Sequence, residues 1–101
     1  MDTLREKVIA ALRTVLDPEF PINIFDLGLV YRLEILPLGL VSVQMTLTAP
    51  ACPVAQAIPE EVAEVVGRVP GVNGVDVELV WDPPWSRERM NEEARWRMEM
   101  L

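Results

Sequence analysis

A two-layer α/β sandwich is the fold class this sequence predicts, with elements in the order α-β-β-α-β-α and a small three-stranded mixed sheet carrying its helices on one face. Three observations carry that reading. Two stretches of alternating apolar and polar residues flank a Pro-Leu-Gly turn, and a third follows later in the chain. Runs with apolar residues at helical spacing precede the first of these stretches and separate the second from the third. Finally, 101 residues with 50% apolar content can bury one real core but not two, so a single domain over 1–101 is expected.

The first helix opens on Thr3-Leu4-Arg5-Glu6, which has the form of a capping box. Its apolar stripe is Leu4, Val8, Ile9, Leu12, Val15 and Leu16, and it is expected to run to about Asp17, where Pro18 biases the preceding residue out of the helical region. The segment from Asp17 to Asp26 holds too much proline for a helix and too many apolar groups for an idle loop, so it is expected to cross the core with its carboxylates at the rim. Leu29, Tyr31, Leu33 and Ile35 then alternate as a strand, and Val41, Val43, Met45 and Leu47 do so after the Pro37-Leu38-Gly39 hairpin.

Val54, Ala57, Ile58, Val62, Val65, Val66 and Val69 fit a second helix stopped by Pro70-Gly71. Pro59 requires either a kink there or a fresh start, with Glu60 and Glu61 in the first turn. Asn73-Gly74 introduces a third strand of Val75, Val77, Leu79 and Trp81, which places Trp81 in the core. After the rigid corner Asp82-Pro83-Pro84-Trp85, Ser86 is expected to cap a last helix with Met90, Ala94, Met98 and Leu101 on one side. A hairpin followed by a right-handed crossover suggests a split β-α-β arrangement with the first strand in the middle.

Composition excludes several function classes. Sixteen acidic against nine basic residues give a net charge of −7, which repels phosphate backbones and favours a basic partner surface over nucleic acid. No apolar run approaches the ~18 residues that span a bilayer, and Met1 to Lys7 lacks a signal core, so a cytoplasmic protein is expected. With one cysteine and no histidine, one chain can form neither an internal disulfide nor a four-ligand N/S zinc site. Cys-His activation is impossible, and the chain has no Gly-x-Gly-x-x-Gly or P-loop pattern, so neither independent catalysis nor a nucleotide cofactor is expected.

Cys52 is the expected chemical centre. It lies between Thr48 and Pro53, where strand alternation gives way to the second helix, and a helix N-terminus favours the thiolate as a nucleophile or metal ligand. A lone cysteine between prolines also fits plain packing or half-capping. Asp17, Glu19 and Asp26 are hard oxygen donors that could complete a site beside the soft sulfur, or that close loops by accepting backbone N–H bonds. Trp85, beside two prolines, fits a partner anchor or packing under the last helix, and Trp96, off the apolar stripe, could reach a second subunit.

Asp17-Pro18-Glu19, Asp26-Leu27-Gly28-Leu29-Val30-Tyr31, Met45 to Pro53, and Trp81-Asp82-Pro83-Pro84-Trp85-Ser86 with Arg89-Met90 and Glu93-Ala94-Arg95 stand in one order along the chain. Together they resemble the metal-sulfur (iron-sulfur) cluster assembly accessory family, which includes SufT, the cytosolic iron-sulfur targeting factors, the phenylacetate-pathway protein PaaD and a domain of some P-loop cluster carriers. The resemblance implies an accessory role in maturing iron-sulfur proteins, with Cys52 as a reactive or ligating residue. PaaD-type members add a cysteine-rich C-terminal module; this chain stops at Leu101 without one, so the compact SufT-like subgroup is expected.

One thiolate is too few for a cluster that normally takes four. A transient cluster or iron ion therefore needs a weak homodimer, a client protein, a cluster carrier or scaffold, or a free thiol. The alternative is a protein-binding adaptor without metal chemistry, in which Cys52 is structural and the Trp85 corner is the contact.

Overall fold

The computed structural model describes residues 3–17, 20–47 and 57–100. Helix α1 spans Leu4–Leu12, and its capping box is formed: Thr3 Oγ1 accepts from Glu6 N at 3.1 Å while Thr3 N donates to the Glu6 carboxylate at 3.2 Å. The helix ends earlier than its apolar stripe predicts. Residues 15–17 instead pair with the following loop, since Ile24 N donates to Val15 O at 2.9 Å and Asp17 N to Ile22 O at 3.1 Å. Val15 is fully buried by this route, whereas Leu16, the last residue of the expected stripe, faces solvent.

Strands β1 (Val30–Leu36) and β2 (Leu40–Met45) form the expected antiparallel hairpin around Pro37–Gly39. Leu38 there takes a positive φ of 67°. Helix α2 (Ala57–Gly67) begins two residues before Pro59, so the proline sits in the first turn, where its missing N–H has no intrahelical partner to lose. Strand β3 (Gly74–Leu79) pairs with β2 in parallel, from Leu40 beside Gly74 to Met45 beside Leu79.

The sheet order is β1-β2-β3, which corrects the expectation that the first strand is central. Burial explains the placement: β2 contributes Val41, Val43 and Met45, all essentially inaccessible, while the apolar residues of β1 and β3 are only partly covered. The strand with the strongest apolar face takes the middle, and the crossover through α2 returns β3 to its free side. The outer edge of β1 is partly occupied, because Arg5 Nη1 donates to Leu33 O at 3.0 Å. Helix α2 packs on β3 and α1 packs on α2, so Val8, Leu12, Val62 and Val66 share one core with the inner face of β2.

Two C-terminal expectations are also corrected. Trp81 lies beyond the end of β3 and is 44% exposed, because the sheet pairing that would have buried it stops at Leu79. Ser86 makes no capping bond and precedes a short 3₁₀ turn, Arg87–Arg89. Helix α3 (Glu92–Met100) is capped by Asn91, whose Oδ1 accepts from Ala94 N at 2.9 Å. Met90 and Ala94 reach the core as expected. Among the described residues, no helix is long and apolar enough to cross a membrane.

Candidate functional site

The loop after α1 folds around Asp26. Asn23 and Asp26 close it reciprocally: Asn23 Nδ2 donates to Asp26 Oδ2 at 2.8 Å, and Asp26 N donates to Asn23 Oδ1 at 2.9 Å. From the other end of the chain, Asn91 Nδ2 donates to Asp26 Oδ1 at 2.8 Å and Asn91 N to Asp26 O at 3.0 Å. Arg13 Nε adds a weaker contact at 3.4 Å, its guanidinium lying 5.1 Å from the centre of the Phe25 ring. Asp26 is 3% exposed. Burial pushes its pKa up, but the hydrogen bonds from Asn23 and Asn91 and the charge and hydrogen bond of Arg13 together outweigh it, and the carboxyl is held below its usual value of 3.8.

Asp17 occupies a similar niche. It is buried, and its Oδ2 accepts from Phe20 N at 3.0 Å.

The motif containing Asp26 and the motif around Trp85 form one physical unit. Trp85 is half-buried, its Nε1 donating to Leu27 O at 2.6 Å and its ring 6.2 Å from that of Phe20. Tyr31 Oη donates to Pro83 O at 2.8 Å, and the Arg89 guanidinium lies 4.4 Å from the Tyr31 ring centre. Gly28 has φ 79°, and a Cβ there would stand 2.1 Å from Arg89 O, so only glycine admits so close an approach. Residues 81–91 thus form a strap across the 26–31 segment. This places the Trp85 ring in packing contact; Trp96, on α3, is 62% exposed among Glu92, Glu93, Arg95 and Glu99.

Cys52, Glu19, Thr48 and Pro53 lie outside the described residues. Among the described residues, no three His, Cys, Asp or Glu side chains come together in a metal-binding set. Among the described residues, Thr46 has an unusual environment. It is 1% exposed, its N–H donates to Leu29 O at 2.8 Å, and its Oγ1 has no hydrogen-bond partner among the described residues. Strand alternation assigns Thr46 to the polar side; it is buried because β2 ends one residue earlier. Asn23 and Asn91 also escaped the sequence reading. Their signal was there: each stands three residues before the group whose N–H its side chain accepts, Asp26 and Ala94.

Comparison with known proteins agrees over nearly the whole chain. The family described as "Iron-sulfur cluster assembly protein" matches residues 5–79. An "Fe-S protein maturation auxiliary factor" of Porphyromonas gingivalis is 46% identical over 96 residues, covering 95% of this chain and 91% of that protein. The "Fe-S protein maturation auxiliary factor YitW" of Bacillus subtilis is 39% identical over 94 residues, covering 93% of this chain and 92% of its own. A crystal structure of a domain of unknown function from Bacillus anthracis superposes with a TM-score of 0.90 at 37% identity, over 97% of this chain and 93% of that one. On the match over residues 5–79 and on these nearly full-length likenesses, the chain belongs to the iron-sulfur cluster assembly protein family.

Proposed function

We propose that the protein is an accessory factor of iron-sulfur protein maturation that handles a cluster or iron transiently through Cys52 and passes it to a client. The observation that carries this reading is family membership combined with likeness, over nine-tenths of the chain, to proteins named as maturation auxiliary factors. The chemistry is consistent with it. A single cysteine and no histidine in the chain supply one soft ligand, so a four-thiolate cluster must be shared with other molecules. Those molecules are a client, a carrier or scaffold, or a second copy in a weak homodimer. Transfer is then a ligand exchange: the Cys52 thiolate occupies one iron position and leaves it as a client thiolate binds, with no change of oxidation state.

In this reading Asp17 and Glu19 border the sulfur as oxygen donors. Asp26, with both carboxylate oxygens already accepting hydrogen bonds, acts as a positioning residue that fixes the loop. Trp96, more exposed than Trp81, is an aromatic available to a partner. The protein needs no catalysis of its own and no nucleotide. A free thiol with this task belongs in a reducing compartment, which favours the cytoplasm.

Anaerobic reconstitution tests the proposal. Wild type with iron, sulfide and a thiol should develop the visible charge-transfer bands of a bound cluster and should transfer it to an apo-ferredoxin, and Cys52→Ser should do neither. Normal transfer by Cys52→Ser would take Cys52 out of the mechanism, and a wild type that neither binds nor transfers a cluster would leave only the adaptor role.

A further inference from the structure

The sheet has a second face, turned away from the core. Successive strand residues point to opposite sides, so burial of Val41 and Val43 puts Leu40 and Ser42 on that face. The pairing register aligns Leu36, Leu40 and Gly74 in one row across the three strands, with Glu34, Ser42 and Asp76 in the next. Arg32, Gln44 and Glu78 form the row beyond that. The rows are about 7 Å apart, two residues of strand rise.

The apolar row is open. Leu36 and Leu40 are 39% and 45% exposed, and Leu38 at the hairpin tip is 84% exposed. A cleft of about 320 Å³ lies beside Leu36 and Leu40, with Gly74, Ser42 and Asp76 also in its lining. The absence of a side chain at Gly74 lets Leu40 lean over it, since a Cβ there would stand 3.0 Å from Leu40 Cδ2, and this Leu40 side chain forms one wall of the cleft. Leu38 holds its left-handed conformation with burial offering nothing in return, and Asn73 pins the tip by donating from Nδ2 to Leu38 O at 2.6 Å and from N to Gly39 O at 2.8 Å. A hairpin tip with an exposed leucine in a costly conformation, beside two more half-exposed leucines and an apolar cleft, is built for contact.

The adjoining rows select the partner. Arg32 is paired with Glu34, while Asp76 and Glu78 are exposed and have no ion pair among the described residues. A second copy laid on this face would bring like charges together, and an anionic membrane would be repelled. A basic segment meets neither obstacle.

We propose that this face docks a partner protein through an extended segment with an aliphatic side chain, which enters the cleft beside Leu36 and Leu40, and with Lys or Arg two and four residues on, which meet Asp76 and Glu78. The proposal uses no residue assigned to cluster handling, so it stands or falls apart from that reading.

The test is an NMR titration of the isotopically labelled full chain with a short synthetic peptide carrying leucine, then lysine two and four residues later, with serines between. A matched peptide has glutamate for lysine. Shifts are expected at Leu36 to Ser42 and Gly74 to Glu78 with the lysine peptide alone. Leu36→Ser combined with Leu38→Asn should weaken binding at least about tenfold, and Asp76→Asn about threefold. Asparagine suits the left-handed position, and Asp76 is exposed, so both variants keep the fold. Failure to bind, shifts centred on another surface, or unchanged affinity in the variants overturns the proposal. So does self-association, or binding to phosphatidylserine vesicles, that the leucine variant abolishes.

Discussion

At Asp26 a carboxylate that burial alone would drive toward its neutral form stays charged because Asn23, Asn91 and Arg13 all donate to it. The consequence for stability has a definite sign. A carboxyl held below its usual value stabilises the fold at pH values above the unfolded pKa, and that contribution is lost as pH falls through the lower folded value. Wild type should therefore lose stability progressively below about pH 4. Asp26→Asn, which cannot ionise and must turn its amide NH2 toward at least one of these donors, should be about 2–4 kcal/mol less stable at pH 7, with the deficit narrowing in acid. Urea midpoints measured between pH 7 and pH 3 check this; a constant difference would show that the charge contributes nothing. The sequence offered both roles for Asp26, ligand and loop closer. Position alone could not choose, because the deciding partner, Asn91, lies 65 residues away.

The elements that sequence periodicity defined well were those whose burial is decided locally. The β1-β2 hairpin, the capped start of α1, and α2 with Pro59 in its first turn each follow from residues within one or two turns of one another. What was not legible depended on distant segments. The end of α1 is set by the bridge from Val15 to Ile24, the central place of β2 by the return of β3, and the course of residues 81–91 by the Gly28 approach. At the candidate site the motifs were legible, but not that two of them are stitched together.

That strap makes a prediction at this scale. Trp85→Phe keeps most of the packing against Phe20 but removes the bond from Nε1 to Leu27 O, and should cost about 1–2 kcal/mol. Gly28→Ala forces the strap away from Arg89 O and should cost at least about 2 kcal/mol, since the positive φ is strained as well. Hydrogen exchange gives the more specific readout: the amides of Leu27 to Tyr31 should exchange faster in both variants while those of β2 stay protected. Uniform acceleration would mean that strap and core unfold as one.

For the molecule as a whole, charge and ligand count assign different tasks to different parts. A net charge of −7 acts over a Debye length of about 10 Å and governs encounter, whereas one thiolate acts only on contact and governs exchange. The two should therefore be separable by experiment. If partners present basic surfaces, association with a client should be fast at low salt and should slow by about tenfold as ionic strength rises toward 0.3 M, with dissociation little changed. Cys52→Ser removes at most the single charge of the thiolate and leaves the sixteen carboxylates in place. That variant should dock with nearly the same salt dependence and yet transfer no cluster, while neutralising Asp76 and Glu78 should reduce the salt dependence and leave the Cys52 chemistry intact once the complex has formed. Stopped-flow association measured beside cluster transfer distinguishes the cases: a Cys52→Ser chain that fails to dock would make the cysteine part of the recognition surface, and charge and thiol would then have to be treated as one site.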